Sequence, residues 1–368
     1  MFQSMTSQLP DNPEATEAKQ AEALRRTFHP LRVARVIDET HDSRSIVFDI
    51  PEHLAHVFTY RAGQFLTLEV PHDGLRLRRC YSLASAPEID REHKVTVKRV
   101  AGGRVSNWLH DGVRAGDVIS VLPPEGRFVL SATPHTGELV LFGGGSGITP
   151  VISLLKSALA TTTRPVRMVY ANRDERSIIF RAELDELAAR HPERVRITHR
   201  LDDRDGFLRA EDVGALVHEG ADYYLCGPGP FMDTVEKALL DAQVARERIH
   251  VERFVSPPDP KKDHAPAPTV AVVGDVPAAI AVDLNGQQHE VPYAPGRTIL
   301  QVVRDAGLDA PYSCEEGFCG CCAALLLEGK VSMDADDALT AADKARGVVL
   351  TCQSRPLGSK CSIRFVEI

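Results

Sequence analysis

The residues with the most specific chemistry are cysteines in the stretch PYSCEEGFCGCC, residues 311–322. Cys314, Cys319 and Cys322 follow the spacing C-x4-C-x2-C, and Cys352 comes later, in VLTCQSRP. Thiolates are soft, anionic ligands that stabilise both ferric and ferrous iron. This spacing with a remote fourth cysteine is typical of plant-type [2Fe–2S] clusters. The sequence therefore predicts that these four cysteines hold a [2Fe–2S] cluster.

The alternative for this set of cysteines is a structural zinc site. Structural zinc usually takes two short C-x2–4-C pairs, and Cys352 has no such mate, so iron is favoured. Cys321 fits neither gap of the spacing, and we expect it to be a small side chain packed against the cluster loop. Exchange between Cys321 and Cys322 as ligand is the alternative, and the sequence assigns no role to Cys361.

A second group of polar and glycine residues lies upstream, in RCYS and VKRVAGGRVSNWL. Arg79, Tyr81 and Ser82 offer a cation for phosphate, an aromatic face for a flat ring and a hydroxyl. The glycine turn precedes a predicted short helix, whose first N–H groups can receive a pyrophosphate. Each element alone could equally be a surface strand or a turn with a serine cap. The candidates in the second segment are Val97, Lys98, Gly103, Val105 and Ser106.

A third group is the glycine-rich segment GGGSGITP, residues 143–150, between an apolar strand and a helical segment. A strand, a glycine turn and a helix in this order let the backbone approach a dinucleotide pyrophosphate, although the register is not G-x-G-x-x-G. The candidate residues here are Gly145, Ser146, Thr149 and Pro150.

The segment YANRDERSIIF follows in the same unit, at the position where the ribose of a nucleotide would be bound. Asn172 and Arg173 are the candidates, and a solvated charged loop is the alternative. Arg173 leaves NADPH possible because arginine can hold a 2′-phosphate through two hydrogen bonds.

Two patterns of secondary structure must position the two upstream groups. Short alternating strands between turns predict an antiparallel barrel, whereas the strand, turn and helix rhythm that follows predicts a parallel sheet covered by helices. A stretch with five prolines then reads as a linker. The fold class is thus multidomain α+β and α/β. The predicted limits are 1–28 for a mobile tail, 29–133 for the barrel, 134–255 for the parallel-sheet unit, 256–268 for the linker and 269–368 for the unit with the cysteines.

Composition narrows the possible partners. A chain of 368 residues exceeds one ordinary core. The N-terminal segment lacks an apolar signal core and no run is long enough to span a bilayer, so we expect a cytoplasmic protein with no membrane partner. A net charge of −8 argues against nucleic acid.

The C-terminal unit carries thirteen acidic against eight basic residues. Its acids near the cysteines suggest a rim that steers a basic partner, with plain surface solvation as the alternative. These acids are Glu315, Glu316, Asp334, Asp336, Asp337 and Asp343.

In this order the motifs resemble the ferredoxin–NADP reductase superfamily, in particular RCYSLAS, GSGITP and CGPGPFM. From about residue 31 to the end, the chain resembles reductase components of bacterial multicomponent oxygenases. Among them it looks most like those of 3-ketosteroid 9α-hydroxylases, with the reductase subunits of phenylacetyl-CoA epoxidases as the alternative. The resemblance implies a flavin-binding barrel, a nicotinamide-binding domain and a β-grasp ferredoxin domain. It also implies FAD rather than FMN, NADH with NADPH possible, and a Rieske-type terminal oxygenase as partner.

The resemblance also implies roles for single residues. Gly227, Pro228 and Phe231 match the nicotinamide-binding turn, and Cys226 stands where that family has a cysteine near the reacting nicotinamide carbon. Phe254 would pack near the flavin, and Glu252 joins Cys226 and Phe254 as a candidate catalytic residue. The alternatives are a small apolar strand residue for Cys226 and a solvated carboxylate for Glu252. A further hypothesis, from another class, is a zinc-containing regulatory protein that senses nucleotide without turnover.

Overall fold

The computed structural model describes residues 24, 27–72, 74–131, 137–254, 276–308, 310–312, 315, 317, 320–336, 338–339 and 341–365. Almost all of the predicted tail and the whole predicted linker lie outside these residues, as do Cys314 and Cys319.

The first unit is a six-stranded antiparallel sheet with the order β4-β3-β6-β1-β2-β5. An isolated bridge between Leu83 and Val95 joins the ends of this order, so the sheet curls into a barrel. Apolar side chains such as Leu66 and Leu68 fill its interior, as the alternating pattern predicts. The elements are β1 His29–Thr40, β2 Ser43–Asp49, β3 Phe65–His72, β4 Leu75–Ser82, β5 His93–Lys98, α1 Arg104–Asp111 and β6 Val118–Glu125.

The second unit is a five-stranded parallel sheet with the order β11-β10-β7-β8-β9. The chain winds from β7 to one side and then returns to the other, so the direction of winding reverses between β7 and β10. A crevice for ligands opens at the carboxyl ends of strands at such a switch point. The elements are β7 Leu139–Gly144, α2 Ile148–Thr161, β8 Val166–Asn172, α3 Arg181–Arg190, β9 Val195–Leu201, α4 Asp202–Asp205, α5 Ala210–Gly214, β10 Asp222–Gly227, α6 Gly229–Asp241 and β11 Ile249–Arg253.

Helix α2 joins the barrel to the parallel sheet. Ala84 and Phe128 of the barrel unit belong to the same apolar core as residues of α2. The Ser153 hydroxyl donates to the Ser85 carbonyl at 2.6 Å, and buried Lys156 pairs with Asp90 at 3.1 Å. This continuous core and the polar contacts beside it join the two units along the seam between them.

The third unit is a mixed five-stranded sheet with the order β13-β12-β16-β14-β15, in which only β12 and β16 run parallel. A capping box at Thr298 and Gln301 starts the helix that covers it. The elements are β12 Ala279–Leu284, β13 Gln287–Pro292, α7 Ile299–Asp305, β14 Ala323–Met333, α8 Ala341–Ala345, β15 Val348–Leu350 and β16 Ser354–Phe365. The predicted fold class is confirmed for all three units.

Candidate functional site

A cavity of about 480 Å³ lies at the seam between the barrel and the parallel sheet. Its wall combines the end of β4, the start of α1, the turn after β7 and the ends of β10 and β11. Most residues predicted from separate motifs therefore meet in one place. Those that line the cavity are Arg79, Tyr81, Ser82, Lys98, Gly103, Val105, Ser106, Ser146, Thr149, Gly227, Pro228, Glu252 and Phe254.

The end of β4 presents an unsatisfied hydroxyl to this cavity. Ser82 is 2% exposed, and its Oγ has no hydrogen-bond partner among the described residues. Buried hydroxyls almost always have a partner, so a bound molecule is expected to supply it. Tyr81 beside it is also enclosed, and burial raises the pKa of its phenol, which keeps the ring neutral.

The first turn of α1 forms the opposite part of the wall. A Cβ on Gly103 would lie 2.5 Å from the Ser106 Oγ and 2.9 Å from the Val100 Cβ, so only glycine fits there. The Ser106 hydroxyl accepts a hydrogen bond from the Val100 N–H at 3.2 Å and holds the turn in place. The start of a helix at a cavity wall favours an anionic ligand group.

Glycines let β7 and β10 approach each other closely at the switch point. A Cβ on Gly144 would lie 2.8 Å from the Pro228 Cδ, and one on Gly227 would lie 2.8 Å from the Phe231 Cδ1. A Cβ on Gly147 would lie only 2.1 Å from the Cys226 carbonyl oxygen. The turn between β7 and α2 is therefore in direct backbone contact with the end of β10.

Cys226 and Glu252 are partners in the parallel ladder between β10 and β11. Burial, with the nearby Glu252 as a second cause, raises the pKa of the Cys226 thiol, and burial raises the pKa of Glu252 to about 8. At neutral pH both side chains are thus expected to hold their protons. Glu252 lines the cavity, whereas Cys226 is fully buried behind Gly227.

Four other predicted cofactor residues lie behind or beside the wall. Val97 and Pro150 are buried within the barrel and α2, and Gly145 has a left-handed φ of 52° in the turn after β7. Phe231 packs on that turn. These contacts support the shape of the cavity without forming its surface.

Asn172 and Arg173 lie at the end of β8, away from the cavity wall. Asn172 is 4% exposed, and within the described residues neither its Oδ1 nor its Nδ2 has a well-formed hydrogen bond, although the Tyr170 hydroxyl lies beside it. The Arg173 Nε lies 3.1 Å from the Asp174 Oδ2. The arginine predicted to meet a ribose or its phosphate is therefore already paired with a carboxylate.

Two of the four predicted iron ligands can be placed. Cys322 and Cys352 are buried, and the Thr351 N–H and hydroxyl both donate to the Cys322 carbonyl, at 3.1 and 2.9 Å. The pairing of β14 with β15 thus brings the remote cysteine beside the end of the cluster loop. Gly317 has a φ of 87°, in keeping with a tight loop. The parts of the chain that are described contain no complete metal site, and Cys314 and Cys319 stay predictions.

The acidic rim differs from the expectation. Each of its four described acids has a basic partner: Glu315 pairs with Arg304, Asp334 with Arg355, Asp336 with Lys344, and Asp343 with Arg127 and Arg346. Asp343 is also buried, at 4% exposure. Electrostatic steering by these acids is correspondingly weaker than the sequence alone suggests.

Several residues of the cavity wall were not among the predicted ones. Arg104 directly follows Gly103 in the same turn, so the sequence alone could have predicted that Arg104 lies in the cavity wall. Phe65 reaches the wall from β3, which pairs with β4, and Thr96 reaches it from β5, which only the closure of the barrel brings beside β4. The remaining ones are Cys80, Arg99, Val100, Gly102, Gly229 and Arg253.

Comparison with known proteins accounts for all three units. Residues 30–130 match the family model of an oxidoreductase FAD-binding domain, 141–237 that of an oxidoreductase NAD-binding domain, and 282–357 that of a 2Fe-2S iron-sulfur cluster binding domain. The ferredoxin reductase component of 3-ketosteroid-9-alpha-monooxygenase from Rhodococcus rhodochrous is 44% identical over 91% of this chain and 96% of its own length. The chain belongs to this family of oxygenase reductase components. It is an oxidoreductase with FAD-binding, NAD-binding and [2Fe–2S] domains, and the non-redox zinc hypothesis is wrong.

Two further relatives support the family assignment. A component of the 1,2-phenylacetyl-CoA epoxidase from Escherichia coli strain K12 is 32% identical over 92% of this chain and 98% of its own length. Among solved structures, a phthalate dioxygenase reductase, described as modular for electron transfer from pyridine nucleotides to [2Fe-2S], aligns with a TM-score of 0.57 at 27% identity. The alignment covers 92% of this chain and 98% of that one. Among the described residues, no helix is long and apolar enough to cross a membrane.

The cavity fits a flavin and a nicotinamide dinucleotide. The unpartnered Ser82 hydroxyl, the start of α1 and the close glycine contacts at the switch point are features that such ligands use. The buried Cys322 and Cys352 offer thiolates of the type that iron–sulfur clusters require.

Proposed function

We propose that this chain passes electrons from NADH, through FAD and a [2Fe–2S] cluster, to a Rieske-type terminal oxygenase that hydroxylates 3-ketosteroids at the 9α position. The observation that carries the steroid assignment is the identity to the Rhodococcus relative, 44%, against 32% for the epoxidase component, both over nearly the whole chain. We place the protein in the cytoplasm, where NADH is supplied and thiolate ligands stay reduced.

The residues of the cavity divide into two sets of proposed roles. Around the flavin, the Tyr81 ring packs on the ring system, the Ser82 hydroxyl forms a hydrogen bond to it, and Arg79 pairs with its phosphates. The barrel residues expected to complete this set are Val97, Lys98, Gly103, Val105 and Ser106.

Around the nicotinamide nucleotide, the turn after β7 and the end of β10 let the backbone approach the pyrophosphate and the nicotinamide ring. The residues in this set are Gly145, Ser146, Thr149, Pro150, Gly227, Pro228 and Phe231. Cys226, Glu252 and Phe254 flank the point where the two ring systems meet, and the protonated Glu252 carboxyl can donate a hydrogen bond there. The bound cofactors supply hydride transfer and single-electron transfer, while this chain positions them and excludes water.

The charges at the ends of β8 and β9 support NADH over NADPH. Arg173 pairs with Asp174, and Arg204 pairs with Asp205 at 3.0 Å. Asp202 and Asp203 start α4, and burial together with the Asp203 charge raises the pKa of Asp202. A doubly charged 2′-phosphate near Asp202 and Asp203 would be repelled, whereas a ribose hydroxyl can donate to one of them.

The proposal is tested by reconstitution with purified oxygenases. The protein, loaded with its cofactors, is mixed with NADH or NADPH and with a 3-ketosteroid 9α-hydroxylase oxygenase, and hydroxylated steroid is measured. We expect product with this oxygenase and a clear preference for NADH. Product with an oxygenase of another class, and none from the steroid, would reject the steroid assignment.

A second candidate is the reductase component of a phenylacetyl-CoA epoxidase. The E. coli relative supports it because this chain covers 98% of its length. The same mixture with the other epoxidase components and phenylacetyl-CoA discriminates the two candidates, and epoxide formation coupled to NADPH would favour this one.

A further inference from the structure

Contacts between described residues of the C-terminal unit and the barrel include three pairs. The Arg78 guanidinium lies 4.5 Å from the centroid of the Tyr312 ring. The Arg127 Nη1 donates to the Asp343 Oδ2 at 2.9 Å. The third contact is a hydrogen bond from the Cys321 thiol to the Glu125 carboxylate. We call this set of three pairs the docking contact.

The docking contact links the cofactor cavity to the two ends of the cluster loop. Tyr312 lies two residues before Cys314, and Cys321 directly precedes Cys322. On the barrel side, Arg78 is next to the cavity residue Arg79 on β4. Glu125 pairs with Phe65, which also lines the cavity. Tyr312 and Cys321, which flank the predicted ligands Cys314 and Cys319 in the sequence, thus contact strands that also form the cavity.

The docking contact is polar, unlike the seam between the other two units. One apolar core contains residues of both the barrel unit and the parallel sheet. The core of the C-terminal unit, as far as its residues are described, consists of that unit's own side chains. Among the described residues, one ion pair, one cation–π contact and one hydrogen bond join this unit to the barrel, and the ion pair weakens as ionic strength rises.

Arg127 and Asp343 form the ion pair of the docking contact, in which the carboxylate is buried whereas the Arg127 side chain is 36% exposed. Asp343 is 4% exposed and also pairs with Arg346 at 2.6 Å, within its own unit. Removal of Arg127 would leave a buried carboxylate facing the barrel without its partner from that side. The loss weakens the contact, although Arg346 still pairs with Asp343 and the exposure of Arg127 limits the cost.

We propose that the docking contact positions the cluster loop against the flavin cavity, and that Arg127 and Asp343 are the positioning residues for electron transfer between the two cofactors. One NADH gives up a hydride, which carries two electrons and one proton, and NAD⁺ remains. The two electrons pass singly through the cluster to the oxygenase, each changing one ferric iron to ferrous on the way, and the proton is released to water. The electron-transfer part of this inference rests on the function proposed above, whereas the docking part does not.

The test uses the full chain with its cofactors and the variants Arg127→Gln and Asp343→Asn. Arg35→Gln is the matched control, because Arg35 pairs with Glu92 on the exposed surface of the barrel and takes no part in the docking contact. Hydrogen–deuterium exchange is measured over residues 118–127 and 320–327. Stopped-flow absorbance separately follows flavin reduction by NADH and the subsequent cluster reduction.

We expect Arg127→Gln to raise hydrogen exchange in both segments and to slow cluster reduction by about threefold. Flavin reduction by NADH is expected to keep its rate, and Arg35→Gln is expected to behave as the native protein. High salt should slow cluster reduction in the native protein and change it less in Arg127→Gln. Asp343 also pairs with Arg346 inside the C-terminal unit. If Asp343→Asn does not fold for that reason, the result for Arg127→Gln alone tests the inference.

Two results would overturn the inference. One is native hydrogen exchange in Arg127→Gln, which would mean that the pair does not hold the unit in place. The other is raised exchange with an unchanged rate of cluster reduction, which would mean that docking does not position the cofactors. Neither result depends on which oxygenase accepts the electrons, so a failure of the steroid assignment is distinguishable from a failure here.

Discussion

The turn between β7 and α2 allows a sharp test of the close backbone contact at the switch point. In Gly147→Ala, the added Cβ would lie 2.1 Å from the Cys226 carbonyl oxygen and 2.6 Å from the Gly227 nitrogen. These are backbone atoms of β10, so they cannot rotate away and the turn itself must move. Overpacking against a rigid neighbour costs up to about 3 kcal/mol of unfolding free energy.

Two other glycines of the same unit separate the clash from other effects of alanine. Gly145 has a φ of 52° but nothing within 4 Å of an added Cβ, so Gly145→Ala tests backbone strain alone, about 1 kcal/mol. Gly214, in α5, has neither a positive φ nor a close neighbour, so Gly214→Ala is expected to be neutral or slightly stabilising.

The assay is urea unfolding of the three variants, together with titration of each with NADH. We expect the unfolding free energies to fall in the order Gly214→Ala, Gly145→Ala, Gly147→Ala. NADH affinity should drop most in Gly147→Ala, because the moved turn no longer meets the end of β10. Equal stability and equal NADH affinity of Gly147→Ala and Gly214→Ala would refute the close contact.

Three further predictions concern single side chains of the cavity and the cluster loop. Ser82→Ala should weaken FAD binding to the apoprotein by about tenfold, through the loss of one hydrogen bond. Unchanged affinity in a flavin titration would mean that the Ser82 hydroxyl does not bind the flavin. Burial raises the pKa of Glu252 to about 8, so the folded state binds the proton more tightly than the unfolded state. Its contribution to stability is therefore full below the ordinary carboxyl pKa and is lost as pH rises through about 8. Glu252→Gln should flatten that pH dependence in urea unfolding, and an identical pH profile would contradict the burial argument. Cys322→Ala should abolish or distort the visible spectrum of the cluster, whereas Cys321→Ala should leave it intact. The reverse result would mean that Cys321, and not Cys322, is the iron ligand.

Much of the candidate site was predictable because its signals are local. The spacing of Cys314, Cys319 and Cys322, the glycine turn after a strand and the RCYS segment each depend on residues that are close in sequence. Their chemistry follows from the residue types, and their secondary structure follows from apolar periodicity and glycine placement. For the same reasons, the sequence predicted the strands of the barrel and the alternating strands and helices of the second unit.

What remained out of reach was pairing between residues far apart along the chain. The sequence placed Asp343 in an acidic rim, but in the folded protein Asp343 is buried and pairs with Arg127. The other described acids of the rim also pair with basic side chains. Likewise, the sequence predicted Cys321 to be a small side chain packed against the cluster loop, and only the tertiary structure shows its thiol donating to Glu125 of the barrel. A local pattern specifies what a side chain can do, whereas its charge environment and its contacts depend on which distant surfaces the three cores bring together.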